Sequence, residues 1–287
     1  MHAKLLFLHA LSPLHAGTGQ GVGVIDLPIA REKATDIPIV PGTSVKGVLR
    51  DACPDGQDKI AVFGPETDNA DDHAGSAQFT DMRLLLLPVR SLKGTFAWVT
   101  SPLLLRRLQR DANHAENATL HTSIPSPANL ETCLVSSQNC AIAMTRGNAS
   151  QVIVEDLVLA AQGDADAFTW ADMLAEYLFP GDNDWQDALR ARFCVVHDDT
   201  LAFLLQTATE VTARIRLEKN KKTVAQGALW YEEALPAETI MVGLLIAAEV
   251  KADKSKVFTS IGNLIQAPLQ IGGSATVGRG LCQMRLV

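Results

Sequence analysis

The sequence lacks the patterns that mark secreted, zinc-binding and membrane-spanning proteins. Its five cysteines are odd in number, scattered, and include no Cys-x-x-Cys pair, so neither a disulfide framework nor a zinc knuckle is expected. The late apolar run 240–250 is far shorter than the ~20 residues that cross a bilayer. His9, Pro13 and His15 interrupt the apolar N-terminus, and no cleavage site follows. We therefore expect a cytoplasmic protein with reduced thiols.

An excess of positive charge is also missing. The 287 residues carry a net charge of -7, and the isoelectric point is near 5.5. Indiscriminate coating of nucleic acid is excluded, because it depends on neutralising many phosphates. Any polyanionic partner must meet a local basic surface. The 47% of hydrophobic residues is enough for a substantial core.

Hydrophobic periodicity predicts a mixture of strands and helices in one domain, 1–287. This mixture is typical of the α+β class with long insertions, and the region 109–200 is the expected insertion. We predict helices at 44–53, 102–110, 168–179, 184–193 and 253–266, and strands at 3–11, 79–89, 94–100, 151–160, 237–250 and 281–287.

Two glycine-rich loops interrupt these elements. In the first, 15–23, four glycines alternate with other residues, so backbone N–H groups can approach a ligand closely. Its spacing is not a dinucleotide fingerprint, because Gly-x-Gly-x-x-Gly fails and 24–28 replaces the expected helix. The second loop, 271–280, contains Gly272, Gly273 and Arg279, and such a loop lets the arginine approach a phosphate.

The helix at 44–53 offers a seat for a phosphate. Thr43 or Ser44 is the expected N-cap, and free N–H groups, a hydroxyl and Lys46 converge at that end. Arg50 lies on the same helix and is included among the RNA-binding candidates. A solvent-facing lysine on an amphipathic helix is an equally open interpretation of Lys46.

Residues 209–232 predict a β-hairpin with a basic tip. Val211, Ala213, Ile215 and Leu217 alternate with polar residues, so each strand has one apolar face. The basic side chains that would follow an RNA backbone are Arg214, Arg216, Lys219, Lys221 and Lys222. A plain solvated hairpin is the alternative. Three nearby aromatic residues are expected in the core: Trp98, Trp230 and Tyr231.

Six segments together resemble the RAMP superfamily of CRISPR RNA-binding proteins, and within it the backbone subunits of type III-B (Cmr) effector complexes. The segments are LSPLHAGTGQGVGVIDLPIARE (11–32), IPIVPGTSVKGVLRD (37–51), VFG (62–64), FTDMRLLLLPVRSLKGTFAWVTSPLLLRRL (79–108), GALWYEEALPAET (227–239) and QIGGSATVGRG (270–280). They follow the family's order, and PVRSLKGTFAWVTSP is the most specific of them.

The resemblance implies a modified ferredoxin-like, RRM-like palm with the hairpin 209–232 as a protruding thumb. It implies four kinds of partner: a CRISPR guide RNA, a target single-stranded RNA, further copies of the chain and other Cmr subunits. Copies would form a filament on the guide RNA. Each thumb would wedge into the guide–target duplex, and each subunit would cut the target, so cleavage would recur at regular intervals.

Asp26 has two interpretations. Composition and spacing alone favour a turn residue, since Asp commonly serves turns. The resemblance instead makes it the residue that cuts target RNA, either by holding Mg²⁺ or Mn²⁺ or by helping to deprotonate a ribose 2′-OH. We favour the metal-assisted route, with a site completed by bound RNA because a lone carboxylate is a poor metal site.

Other polar residues near these loops are weaker candidates. His15 could donate a proton or contact a phosphate, although a histidine ending a strand is more often structural. Glu232 and Glu233 are interpreted as a solvated strand end, and the acidic stretch 66–73 as a solvated loop without EF-hand spacing. Two further functions stay open: a catalytically silent RNA-binding subunit, and an enzyme for a phosphorylated metabolite.

Overall fold

A computed structural model describes residues 2–19, 21, 23–66, 72–116, 118–137, 140–147, 149–217 and 224–287. The three lysines of the predicted basic tip, Lys219, Lys221 and Lys222, lie outside the described residues, as does most of the acidic stretch 66–73.

Seven helices and fifteen strands are found in the described parts of the chain. The helices are α1 (Gly42–Ala52), α2 (Gln57–Phe63), α3 (Pro102–Ala112), α4 (Ala165–Leu178), α5 (Asn183–Arg192), α6 (Asp198–Thr207) and α7 (Lys254–Leu264). The strands are β1 (His2–Ala10), β2 (Ile39–Val40), β3 (Ala77–Phe79), β4 (Met82–Arg90), β5 (Phe96–Thr100), β6 (Thr132–Val135), β7 (Met144–Arg146), β8 (Ala149–Val154), β9 (Leu157–Gly163), β10 (Phe193–Val196), β11 (Glu210–Leu217), β12 (Val224–Ala234), β13 (Ile240–Ala247), β14 (Leu269–Gln270) and β15 (Leu281–Leu286).

Thirteen of these strands form one mainly antiparallel sheet, and β11 and β12 form a separate hairpin. The main path of the large sheet is β14-β15-β1-β13-β4-β5-β10-β6-β9-β8-β7. The pairs β5–β10 and β6–β9 are parallel. The hairpin register places Val211 opposite Glu233 and Ile215 opposite Leu229, so the predicted hairpin is confirmed.

Helices pack on both faces of the sheet. Alternate residues of β1 point to opposite sides, so they contribute to a separate hydrophobic cluster on each face. Leu6 and Leu8 belong to a core cluster with Val45 of α1 and Val257 of α7. Leu5 and Phe7 belong to the second cluster, with residues of α3, α4 and α5. The expected α+β class is confirmed. None of the helices described is both long and apolar enough to cross a membrane.

The region 109–207 departs from the sequence predictions. The single strand predicted at 151–160 is wrong: β8 and β9 form a hairpin, and its turn contains Glu155 at a φ of 47°. Strands β6 and β7 lie within the stretch 111–150, where the periodicity predicts no strand or helix. Helix α6 and strand β10 were not predicted. Their short apolar runs are ambiguous between helix and strand in sequence alone.

Candidate functional site

The loop that follows the first glycine-rich segment is hydrogen-bonded to the edge of β12 that does not pair with β11. The N–H of Leu27 donates to the carbonyl of Tyr231 over 3.0 Å, and the N–H of Glu233 donates to the carbonyl of Leu27 over 3.0 Å. Leu27 and Glu232 thereby form a parallel bridge. The base of the hairpin is therefore paired with β11 on one side and with this loop on the other.

Asp26 is exposed beside this edge. Its backbone carbonyl accepts a hydrogen bond from Gly21 over 2.8 Å, which closes a turn. Its Oδ2 accepts from the N–H of Tyr231 over 2.7 Å. Within the described parts of the chain, Oδ1 has no partner. The carboxylate is fixed by one oxygen and offers the other to solvent.

His15 is attached to the same strand two residues further along. Its Nδ1 donates to the carbonyl of Glu233 over 2.6 Å, which leaves Nε2 as the acceptor in the neutral ring. The side chain is buried. The anchoring points of Asp26 and His15 on β12 are about 7 Å apart, since a strand rises ~3.3 Å per residue.

The two glycine loops enclose His15. A Cβ on Gly17 would lie 2.5 Å from Nε2 of His15, and one on Gly272 would lie 2.3 Å from its carbonyl oxygen. The N–H of Gly273 donates to that carbonyl over 2.9 Å. Gly272 and Gly273, which the sequence predicts as RNA-binding residues, therefore pack against His15. This structural role is additional to the predicted one.

Glu232 is buried, so the predicted solvated strand end is wrong. Nε of Arg279 lies 3.2 Å from Oε1 of Glu232, and Nε of Arg214 lies 3.6 Å from Oε2. Ser274 also donates to Oε1, over 3.3 Å. Sequence alone could not show this, because the arginines come from β11 and from the distant loop 271–280. The buried carboxylate thus draws two RNA-binding candidates together.

Glu233 points to the other face of β12 and is also buried. Its Oε1 lies 2.6 Å from Nη2 of Arg31, and its Oε2 accepts from the N–H of Ile29 over 3.1 Å. The same Nη2 donates to the carbonyl of Leu205 over 3.0 Å. The consecutive glutamates alternate between faces, as strand geometry requires; Glu232 pairs with two arginines and Glu233 with a third.

Not all N–H groups of the Arg279 guanidinium have a hydrogen-bond partner among the described residues. Its side chain is 7% exposed, its Nη2 donates to Thr212 over 3.1 Å, and its buried Nη1 has no partner among the described residues. Nε of Arg214 is likewise buried and makes no hydrogen bond to the described residues. Buried donors are nearly always satisfied, so these two atoms are exceptions, and the anion nearest to both arginines is the Glu232 carboxylate. Burial raises the pKa of the neighbouring Glu210, and the charge of Arg279 offsets part of that rise.

The other face of the hairpin is apolar and open. Val211, Ile215 and Leu229 are each about half exposed, and Tyr231 is 39% exposed. The expectation that Tyr231 lies in the core is wrong, whereas Trp98 is fully buried as expected. Trp230 is half-buried and lies on the same face as Arg214. Arg216, nearer the tip, is exposed.

At the N-terminus of α1, where the sequence predicts a phosphate-binding site, a carboxylate of the protein already accepts a backbone N–H. The N-cap is Pro41, not Thr43 or Ser44, and the N-cap residue makes no side-chain capping hydrogen bond. Oδ1 of Asp81 accepts from the N–H of Gly42 over 2.8 Å, so a carboxylate already meets this helix end. Thr43 and Ser44 are exposed and Lys46 is half-buried.

Arg50 is occupied within the protein. It donates to the carbonyls of Gly64 and Pro65 over 2.8 and 2.9 Å, and its Nη2 lies 3.0 Å from a carboxylate oxygen of Glu66. These contacts tie the end of α1 to the following loop. Arg50 is therefore separated in role from the arginines at the base of the hairpin.

The donor set at Asp26 fits a divalent cation only in part. No group of three His, Cys, Asp or Glu side chains in the described ranges is arranged to hold a metal ion. Asp26 supplies one uncommitted oxygen, which suits Mg²⁺ because this ion usually keeps several waters and takes phosphate oxygens as ligands. A single carboxylate oxygen can supply one ligand of such an ion, and the other ligands would have to come from water or a bound molecule.

Comparison with known proteins gives matches along nearly the whole chain. The sequence model of the RAMP superfamily matches residues 7–283. The chain is 35% identical over 294 aligned positions to the CRISPR system Cmr endoribonuclease Cmr4 of Pyrococcus furiosus, covering 100% of this chain and 96% of that protein. It is 26% identical to the CRISPR system CMR subunit Cmr4 of Saccharolobus solfataricus, covering 98% and 96%.

Solved structures share the fold. The crystal structure of oligomeric Cmr4 from Pyrococcus furiosus superimposes with a TM-score of 0.77 at 29% identity, covering 99% of this chain and 98% of that one. A chain in the cryo-EM structure of the type III-B Cmr-beta complex bound to cognate target RNA gives a TM-score of 0.73 at 21% identity, covering 99% and 96%. At that identity the second likeness shows the fold alone.

Proposed function

Because the chain belongs to the RAMP superfamily, we propose that it is a guide-RNA-binding backbone subunit of a type III-B CRISPR effector complex that cleaves the bound target RNA. The relative named a Cmr endoribonuclease, 35% identical along the whole chain, supports this activity. The observation that carries the proposal is the exposed Asp26 carboxylate, fixed by Tyr231 at the base of a hairpin with one apolar and one basic face.

The two faces of the hairpin suit two parts of an RNA duplex. Unstacked bases are stabilised by contact with aromatic and apolar side chains, and Tyr231, Leu229 and Ile215 offer such a surface. A phosphate would meet the partly exposed guanidinium group of Arg214 and the exposed Arg216. A hairpin inserted in this way acts as the thumb of the proposed palm, and it kinks the target strand beside Asp26.

At the kink, the reaction is attack of a ribose 2′-OH on the adjacent phosphate. The O2′–P bond forms, the P–O5′ bond breaks, the 2′-OH loses its proton, and the departing 5′-oxygen gains one. Asp26 is held with its free oxygen outward to assist that deprotonation or to ligate a cation. A bound Mg²⁺ or Mn²⁺ would stabilise the extra negative charge on the phosphate. His15, enclosed by glycines, positions the loop that carries Asp26.

Several finer features belong to the same proposal. We assign the palm to the ferredoxin-like, RRM-like type and the site of action to the cytoplasm. Copies of the chain stack along the guide RNA and place one Asp26 per subunit, so cleavage products differ by a constant interval. Other Cmr subunits complete the assembly.

Size analysis of the purified chain with and without guide RNA tests the proposal. We expect the particle to grow by whole subunits as the guide is lengthened. A small closed oligomer that ignores RNA would contradict the proposal and would favour the enzyme for a phosphorylated metabolite. No observation on the site favours that alternative over RNA.

A catalytically silent subunit differs only in the reaction. If the wild-type complex, supplied with Mg²⁺ or Mn²⁺, binds target RNA and leaves it intact, the silent alternative is correct. We expect target fragments in that assay, because Asp26 is exposed and one of its oxygens is uncommitted.

A further inference from the structure

A groove outside the Asp26 site combines an apolar floor with an acidic rim. Its volume is about 410 Å³, and three segments line it: the residues before and at the start of β6, the start of β9, and the outer side of α6. The hydroxyl of Thr200 on α6 donates to the carbonyl of Leu130 over 3.1 Å, which joins two of these walls.

The floor of the groove exposes large apolar side chains. Leu130, Val158 and Phe203 are 51%, 54% and 50% exposed. The helix α6 has its other side packed into the core through Leu201 and Leu204, so Phe203 faces outward by helical geometry. Apolar side chains clustered in one groove, and not scattered, indicate a surface that another molecule covers.

The rim of the groove is acidic. Glu131, Asp156 and Asp199 line it, and no lysine or arginine is among the described residues that line it. Among the described residues, Glu131 and Asp156 have no ion-pair partner, and the carboxylate of Asp199 lies 3.6 Å from Nδ1 of His197. Three carboxylates repel an RNA backbone and attract cationic side chains, so this surface selects protein over nucleic acid.

We propose that this groove binds a segment of another protein subunit of the assembly, one that carries an aromatic or aliphatic side chain flanked by lysine or arginine. The apolar side chain enters between Leu130, Val158 and Phe203, and its cationic neighbours face the three carboxylates. The inference rests on the proposed assembly into a ribonucleoprotein but not on target cleavage.

Native mass spectrometry of the complex reconstituted from guide RNA and all its protein subunits tests the inference. With Phe203→Asp in every copy of this chain, we expect the occupancy of one other protein subunit to fall at least tenfold while guide RNA and the copies of this chain remain. Asp199→Lys should act in the same direction with the apolar floor intact. Phe168→Asp is the matched control, because Phe168 is 48% exposed on α4 and does not line the groove.

The outcomes are separable. A full set of subunits with both groove variants overturns the inference and leaves the proposed function standing. Loss of copies of this chain identifies a second copy as the occupant, and loss of guide RNA identifies RNA; either result also overturns the inference. Failure of the wild-type chain to assemble with guide RNA at all overturns the proposed function instead.

Discussion

Asp26 shows how far a single residue can be interpreted from sequence. Its neighbours predict a turn, and the turn exists, because its carbonyl accepts from Gly21. The hydrogen bond from Tyr231 to its carboxylate spans 205 residues of sequence, and no local pattern predicts it. The family resemblance therefore proposes Asp26 as the site residue, whereas the strand that fixes its carboxylate could be found only from the fold.

The closeness of Gly17 to His15 leads to a prediction at the same scale. Gly17→Ala places a methyl group 2.5 Å from Nε2 of His15, so the ring must move away from the base of the hairpin. We expect target cleavage by the assembled complex to fall at least tenfold, and the imidazole NMR signals of His15 to shift. Gly23→Ala is the control in the same loop, because its Cβ meets nothing within 4 Å. Equal activity of the two variants would show that His15 does not position Asp26.

The burial of Glu233 could not be predicted from the sequence, because two consecutive glutamates at the end of a strand are typical of a solvated end. It binds Arg31 inside the protein, and removal of one member of a buried pair leaves the other charge uncompensated. Glu233→Ala should lower the free energy of unfolding by about 3–5 kcal/mol. Glu131→Ala, on the exposed rim of the groove, should change it by less than ~0.5 kcal/mol. Urea titration of both variants measures the difference, and similar midpoints would contradict the role of the Arg31 pair.

At the scale of secondary-structure elements, hydrophobic periodicity predicted the helices and strands that have long, regular patterns. The hairpin β11–β12 and the helices α1, α3, α4, α5 and α7 occur close to their predicted positions. The short strands of the region 109–200, such as β6 and β10, were missed because a four-residue apolar run carries no period. The cap of α1 was wrong for another reason: Asp81 reaches its N-terminus from β3–β4, which is a tertiary contact.

The link between the loop 31–37 and α3 predicts a pH dependence. Burial alone would raise the pKa of Glu32, but hydrogen bonds from Thr35 and Arg107 outweigh it and lower the pKa below its ordinary value of 4.5. A carboxylate with a lowered folded pKa stabilises the fold above its unfolded pKa and loses that contribution as the pH falls through the folded pKa. The stability difference between wild type and Glu32→Gln should thus be largest above pH 4.5 and shrink below it. Unfolding titrations from pH 7 to pH 3 measure it, and a constant difference would contradict the assignment.

At the scale of the whole molecule, an acidic protein brings two arginines that are distant in sequence together at the base of the hairpin. The net charge of -7 excludes general affinity for RNA, yet Arg214 and Arg279 converge on Glu232 and retain unsatisfied donors. Composition predicted that a local basic surface was needed. Its position could not be predicted, because β11 and the loop 271–280 meet only through the fold.

Target cleavage by the reconstituted complex carrying Asp26→Ala in every backbone subunit tests the central claim most directly. The substitution removes the exposed carboxylate and leaves the backbone contacts of Leu27 with β12 in place. We predict that guide RNA binding and particle size match wild type while all regularly spaced target fragments disappear. Fragments that persist at the wild-type rate, or an assembly that no longer forms, would contradict the assignment of Asp26 as the cleaving residue.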